Sequence, residues 1–141
     1  MIRNSTLKAN EWLLLIREAM SSNANFAKAK SMQKYMKDLF SFYGIGSPLR
    51  KQLLKNLMVI HGKPDPAEMR KLAVLLWEEE EREMQYAAMD LLGIIKKQLE
   101  INDLQLIEKL ITTKSWWDTV DLLASHLAGT CLLYTSDAAD E

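Results

Sequence analysis

The chain predicts an all-α fold: antiparallel helix pairs stacked as a HEAT-like α-solenoid, in truncated form. Three observations carry this. Apolar residues recur every three or four positions along seven stretches. Short clusters of Gly, Pro, Asn and Ser separate those stretches. No stretch alternates apolar and polar residues between hairpin turns, as strands would require. A compact irregular bundle is the competing architecture.

The first helix, Glu11 to Met20, is apolar at Trp12, Leu15, Ile16 and Ala19. Asn23 or Asn25 caps a second, which reaches about Phe40 through Phe26, Ala29, Met32, Met36 and Leu39. Gly44-Ile45-Gly46 breaks it. Ser47 and Pro48 open a third as N-cap and first helical residue, with Leu49, Leu53, Leu57 and Ile60 on one face. Gly62-Lys63-Pro64 stops it. Asp65-Pro66-Ala67-Glu68 reads as a capping box opening a fourth helix, apolar at Leu72, Leu75 and Leu76. The fifth runs from about Glu80 to Leu99, through Met84, Ala88, Leu91, Leu92 and Ile95. Asn102 caps the sixth, with Leu104, Ile107, Leu110 and Ile111. Ser115 caps the seventh.

A length of 141 residues suits one domain with a sizeable core. Hydrophobic residues at 48% and charged residues at 26% are ordinary for a globular protein in water. No apolar run is long enough to span a membrane. The start, Met1-Ile2-Arg3-Asn4-Ser5, lacks a signal-peptide apolar region. One Cys allows no disulfide framework within the chain. Cytoplasmic residence is therefore expected; a monomer without cofactor is the accompanying expectation.

The net charge of −1 is unevenly spread. Residues 1–75 hold 13 Lys/Arg against 5 Asp/Glu, a net of +8; residues 76–141 hold 5 against 14, a net of −9. A basic half suggests a polyanionic partner.

The last eleven residues break the pattern. The helical stripe ends near Gly129, a suitable residue to follow a helix. Cys131-Leu132-Leu133-Tyr134-Thr135-Ser136-Asp137-Ala138-Ala139-Asp140-Glu141 reads like a translated transposase adapter of the kind used in sequencing libraries. The natural reading is expected to stop near Thr130. Residues 1–130 would then be a single helical-repeat domain, the N-terminal part of a longer one, and 131–141 a non-native tail. Without Asp137, Asp140 and Glu141 the net charge changes from −1 to +2.

Several chemistries lack their residues. His61 and His126 are far apart and no Cys/His spacing suits a metal, so no metal site is expected. There is no GxSxG and no Walker loop, and Gly44-Ile45-Gly46 is too short for a dinucleotide fingerprint. Glu78 to Glu81 with Glu83 reads as the acidic first turn of a helix.

The stretch richest in chemical potential is Ser115-Trp116-Trp117-Asp118-Thr119-Val120-Asp121. On a helix, Trp116, Val120, Leu123 and Leu127 form one stripe, sufficient to bury it. Trp117 and Asp121, spaced i and i+4, fall on an adjacent face that packing does not require. An aromatic face beside a carboxylate suits a planar or cationic group. Lys28, Lys30, Lys34 and Lys37 make the second helix basic, and Arg50, Lys51 and Lys55 the third. Ser47 sits at a helix N-terminus, where backbone N–H groups can meet a phosphate. Together these make a groove for a duplex backbone plausible.

Four collinear segments resemble the bacterial AlkD-like DNA alkylation repair glycosylases over about residues 26–129. They are Tyr35 to Ile45, Arg50 to Lys55, Trp77 with Glu81 to Ala88, and Lys114 to Asp121. The last is the most specific. The resemblance implies a curved helical-repeat fold holding duplex DNA, and hydrolysis of the N-glycosidic bond of cationic N7- and N3-alkylpurines. It implies that Asp121 is the catalytic carboxylate and Trp117 the aromatic against the deoxyribose, with Tyr35 and Trp116 at the substrate cleft. Ser47, Arg50, Lys51, Lys37 and Lys114 would contact the DNA backbone. The family's chain continues with further helices, a second sugar-facing Trp and more Arg contacts. Lacking these, the present chain is expected to bind DNA weakly. A non-catalytic helical-repeat module binding DNA or protein is the alternative.

Overall fold

The computed structural model describes residues 3–129; the adapter-like stretch 131–141, Cys131 included, lies outside the described residues. Seven α-helices follow one another: α1 (Ala9–Ser22), α2 (Phe26–Tyr35), α3 (Ser47–His61), α4 (Pro66–Trp77), α5 (Arg82–Ile94), α6 (Asp103–Thr112) and α7 (Trp117–Leu122). A 3₁₀ turn, Lys96–Gln98, follows α5, and a π-helical segment, Leu123–Ala128, continues α7. The described residues form no strand, only isolated bridges pairing Asn4 with Lys63 and Ser41 with Glu81. The all-α class is as the apolar periodicity predicts.

The chain divides between Ala88 and Met89 into two compact units. In the first, α1 packs on α3 and α4. Trp12, Ile16 and Met20 recur every fourth residue and are buried. From α4, Met69, Leu72, Ala73, Leu76 and Trp77 are buried. Each large side chain so buried contributes about 1.5–3 kcal/mol. The Trp12 ring meets His61 edge-on, centroids 6.0 Å apart. In the second unit, α6 packs on the π-helical segment. Ile107 and Leu110 are buried on the one, Leu123 and Leu127 on the other.

Several helix boundaries differ from the sequence expectation. The second helix stops at Tyr35, five residues early, because Lys37 and Asp38 adopt left-handed conformations (φ 57° and 58°). The Asp38 N–H donates to Gln33 O at 2.7 Å, closing a wide terminal turn. Gly46, not Ser47, is the N-cap of α3. The buried face of α3 carries Arg50 and Leu54, while Leu49, Val59 and Ile60 are exposed. Docking on α1, where His61 meets Trp12, leaves much of the most apolar stripe of α3 outside.

Asp65 caps α4, accepting from the Ala67 N–H at 3.0 Å. Glu68 does not close the expected box. Its carboxylate accepts from the Ala9 N–H at 2.9 Å and so caps α1 instead. The fifth helix spans Arg82–Ile94 rather than Glu80 to Leu99, and Glu78 to Glu81 lie before it. Asp103 rather than Asn102 makes the bond at the start of α6, accepting from Glu100 N at 2.8 Å. Gly129 is right-handed (φ −59°), not the left-handed residue expected after a helix.

Two glycines test this backbone in opposite directions. Gly44 has φ +94°, and a Cβ there would lie 2.0 Å from Asn25 O and 2.8 Å from Ala29 N. Gly44→Ala is expected to cost more than about 2 kcal/mol, read as a fall in Cm with unchanged m. Gly93, near the end of α5, has open space around its Cα. Gly93→Ala is expected to stabilise by about 0.5–1 kcal/mol in the same measurement.

Candidate functional site

The second unit carries the Trp-Asp segment. Ser115 does not cap α7; its hydroxyl donates to Ile111 O, back onto the end of α6. Thr113 Oγ1 likewise donates to Lys109 O at 2.6 Å. Lys114 takes a left-handed conformation (φ 55°) and turns the chain. Trp116 is then extended (φ −160°, ψ 165°) and serves as the N-cap. Its carbonyl accepts from Thr119 N at 3.1 Å and Val120 N at 3.0 Å. The helix therefore starts one residue later than a Ser115 cap suggests.

That later start sets which side chains are covered. Thr119, Leu123 and Leu127 are buried at four-residue intervals, while Trp116 and Val120 are only half-buried. The expected stripe of Trp116, Val120, Leu123 and Leu127 is thus turned toward Thr119. The π-helical turn that follows has the wide i→i+5 spacing that keeps Leu123 and Leu127 on one side. Trp117 is 54% exposed and Asp121 is exposed. They stand one turn apart on the face that the core leaves open. The Asp121 carbonyl accepts the Ser125 hydroxyl.

The first unit holds the basic candidates. Lys28, Lys30, Lys34, Lys37, Lys51 and Lys55 are exposed, as are Tyr35 at the end of α2 and Ser47 at the start of α3. Arg50 does not share the exposed surface that the sequence suggests for it. It is only 8% exposed, and its guanidinium lies 5.3 Å from the centroid of the Tyr86 ring. Cation–π stacking rather than solvent defines its place. An open hollow of about 570 Å³ beside α1 and α4, lined by Lys8, Glu68 and Lys71 among others, contains none of the candidate residues.

Sequence reasoning missed the residues that order the connector between α2 and α3. Glu83 is wholly buried, and the consecutive N–H groups of Tyr43, Gly44 and Ile45 donate to its carboxylate at 2.9, 2.9 and 3.0 Å. Arg82 is also buried, its guanidinium 3.8 Å from the Phe40 centroid and its N–H donating to Ser41 O at 2.8 Å. Gln85 Nε2 donates to Leu76 O at 3.1 Å and Glu79 O at 2.9 Å, satisfying carbonyls at and beyond the end of α4. The available signal was their setting. Arg82, Glu83 and Gln85 lie among Met84, Ala87, Ala88 and Leu91 on a helix apolar nearly all round. Polar groups inside such a helix must find partners.

The run Glu78–Glu81 is not a helical first turn. Glu79 binds the exposed Arg17 in two-pronged fashion, Nε to Oε1 at 2.8 Å and Nη2 to Oε2 at 3.1 Å. This holds the guanidinium pKa above its ordinary value, through the hydrogen bond first and the charge second. Among the described residues no cluster of His, Cys, Asp or Glu could hold a metal ion. No described helix is long and apolar enough to cross a membrane.

The all-helical frame accords with what the comparisons with known proteins return. Residues 16–141 match the family model of the DNA alkylation repair enzymes, and the chain belongs to that family. Its structure is similar to that of a predicted DNA alkylation repair enzyme from Enterococcus faecalis, with 27% sequence identity and a TM-score of 0.69. The similarity covers 79% of this chain and 52% of that one, so the chain spans about half the length of that protein. Among curated proteins nothing matches.

Tyr43 gives the first unit a titration of its own. Burial, with the charges of Glu81 and Glu79 next, pushes its phenol up from 10 to about 12. The folded state therefore holds the proton more tightly than the unfolded chain. This contribution to stability is complete below pH 10 and is lost as pH rises from 10 to about 12. Denaturation followed across that window should show Tyr43→Phe losing less stability than the parent. Equal losses would detach Tyr43 from the alkaline transition.

Proposed function

We propose that this chain carries the catalytic pair of a DNA glycosylase that hydrolyses the N-glycosidic bond of cationic N7- and N3-alkylpurines in duplex DNA. The observation that carries the reading is the exposed Trp117–Asp121 pair on α7, one turn apart and turned away from the buried Thr119, Leu123 and Leu127. Membership of the DNA alkylation repair enzyme family supports it.

N-alkylation leaves the purine positively charged and already a good leaving group. As the bond to C1′ breaks, the electron pair goes to the base and neutralises it. Positive charge then develops on the sugar, as in glycoside hydrolysis. The Asp121 carboxylate would stabilise that charge and orient the water whose oxygen bonds to C1′ and whose proton is released. The electron-rich face of Trp117 favours the same cation. No acid is needed to protonate the departing base, so a single carboxylate suffices. In the first unit Ser47, Lys51 and Lys37 would contact the phosphate backbone and Tyr35 the substrate; in the second, Lys114 would contact the backbone and Trp116 the substrate. Arg50, stacked on Tyr86, would act by holding α3 rather than by direct charge. We assign the activity to a monomeric protein resident in the cytoplasm.

Release of N7-methylguanine from methylated duplex DNA by the complete gene product tests this. Asp121→Asn is expected to lower the rate at least about 100-fold with an unchanged melting temperature, given what a charge stabiliser supplies to a transition state. Undiminished release would remove Asp121 from the chemistry. Absence of release alongside salt-sensitive DNA binding would favour the non-catalytic module.

Lys37 offers an independent check on the backbone contacts. A left-handed lysine is strained by about 1 kcal/mol relative to glycine. Lys37→Gly should therefore raise stability while lowering DNA affinity and reducing the salt dependence by about one ion. A gain in stability with unaltered DNA binding would take Lys37 off the interface.

A further inference from the structure

We propose that Glu83 is a positioning residue for DNA binding, fixing the connector between α2 and α3 so that Ser47 and Lys51 meet the phosphate backbone in a preset arrangement. The inference rests on the DNA-binding reading given above.

The connector, residues 36–46, has no regular structure, and residues flanking or within it are DNA candidates: Tyr35 and Lys37 at one end, Ser47 and Lys51 at the other. A segment of this kind is ordinarily mobile. Here it is gripped on two sides. From α5, the Glu83 carboxylate takes three successive N–H groups, with Oε1 on Tyr43 and Oε2 on Gly44 and Ile45. Arg82 adds its N–H to Ser41 O and its guanidinium over Phe40. From the start of α2, the Asn25 N–H donates to Tyr43 O at 2.9 Å. The approach is so close that only a glycine fits at position 44.

Three consecutive N–H groups turned to one side form a concavity that suits an anion. Glu83 fills it permanently. Its carboxylate is fully removed from water, which is costly unless every bond is made. The held stretch ends at Ile45, buried and directly before Gly46, whose carbonyl accepts the Arg50 N–H at 3.0 Å and opens α3. The start of α3 is thus a fixed point, with Ser47 on its first turn and Lys51 one turn further on. A loop ordered before binding owes no ordering entropy when DNA arrives. This is a role for an acidic residue in binding a polyanion: it acts from inside, through backbone geometry, and never faces the phosphates.

Two measurements on the full chain test the assignment. The first is amide hydrogen exchange of residues 43–45 in the unaltered protein, with and without duplex DNA. Slow exchange in the free protein, unchanged by DNA, is expected. Fast exchange that slows only on adding DNA would mean that DNA orders the connector, and would overturn the proposal. The second is duplex affinity of Glu83→Gln, Lys51→Ala and the double variant across a salt series. Glu83→Gln retains the shape but loses the charge and one acceptor. It should speed exchange at 43–45 at least tenfold and weaken DNA binding several-fold, with most of that loss absent in the Lys51→Ala background. Unaltered affinity, or an equal loss in both backgrounds, would show that Glu83 serves only the fold. If the parent itself binds no duplex, the DNA-binding reading falls and this proposal with it. If the parent binds and Glu83→Gln matches it, only the role of Glu83 falls.

Discussion

A carboxylate with no access to water organises the part of the first unit that faces outward. Glu83 binds three neighbouring backbone N–H groups, and those groups belong to the segment that must pass from the end of α2 to the start of α3. Remove the carboxylate and three donors lose their acceptor, those of Gly44 and Ile45 in buried positions, where the loss costs about 1–3 kcal/mol for each group. The same contact explains Gly44, whose left-handed conformation brings the chain against Asn25 with no room for a side chain. Beside Glu83, Arg82 is buried too, its guanidinium 3.8 Å from the centroid of the Phe40 ring.

The second unit solves a different problem, how to leave an indole in water. Two left-handed or extended residues, Lys114 and Trp116, turn the chain out of α6 and delay the start of α7 to Trp117. The delay sends Thr119 inward, with Leu123 and Leu127, and Trp117 and Asp121 outward. Hydroxyls of Thr113 and Ser115 satisfy carbonyls at the end of α6, which lets the backbone depart from the helix without orphaned acceptors. Exposure of a large aromatic is tolerated here because the buried side of the helix is complete without it.

Acidic residues that look alike in the sequence fall into separate tasks. Glu79 pairs with Arg17 at the surface, Glu80 accepts from the Ser41 hydroxyl, Glu83 holds the connector and Glu68 caps a different helix from its own. None of these is required for the proposed chemistry, which needs one exposed carboxylate beside an aromatic face. The basic residues divide as well. Arg50 and Arg82 stack on aromatic rings inside, and the lysines remain outside. Guanidinium is less strongly hydrated than ammonium and can lie flat on a ring, so arginine is the cation that a core accepts.

The sequence by itself determined the helical class, the count and order of the helices, and the i, i+4 pairing of Trp117 with Asp121. These are local matters: periodicity, punctuation and spacing along one chain. It also carried the resemblance to the DNA alkylation repair enzymes, since collinear motifs need no coordinates. Tertiary structure decided the rest. It turned α3 so that Arg50 went inside and Leu49 out, because docking on α1 outweighed the apolar stripe. It moved the start of α7 past Ser115, and it gave Glu68 and Glu83 partners 59 and about 40 residues distant. Helix propensity and spacing act within a few residues, whereas the partner of a buried charge is chosen by whatever backbone the fold brings alongside it.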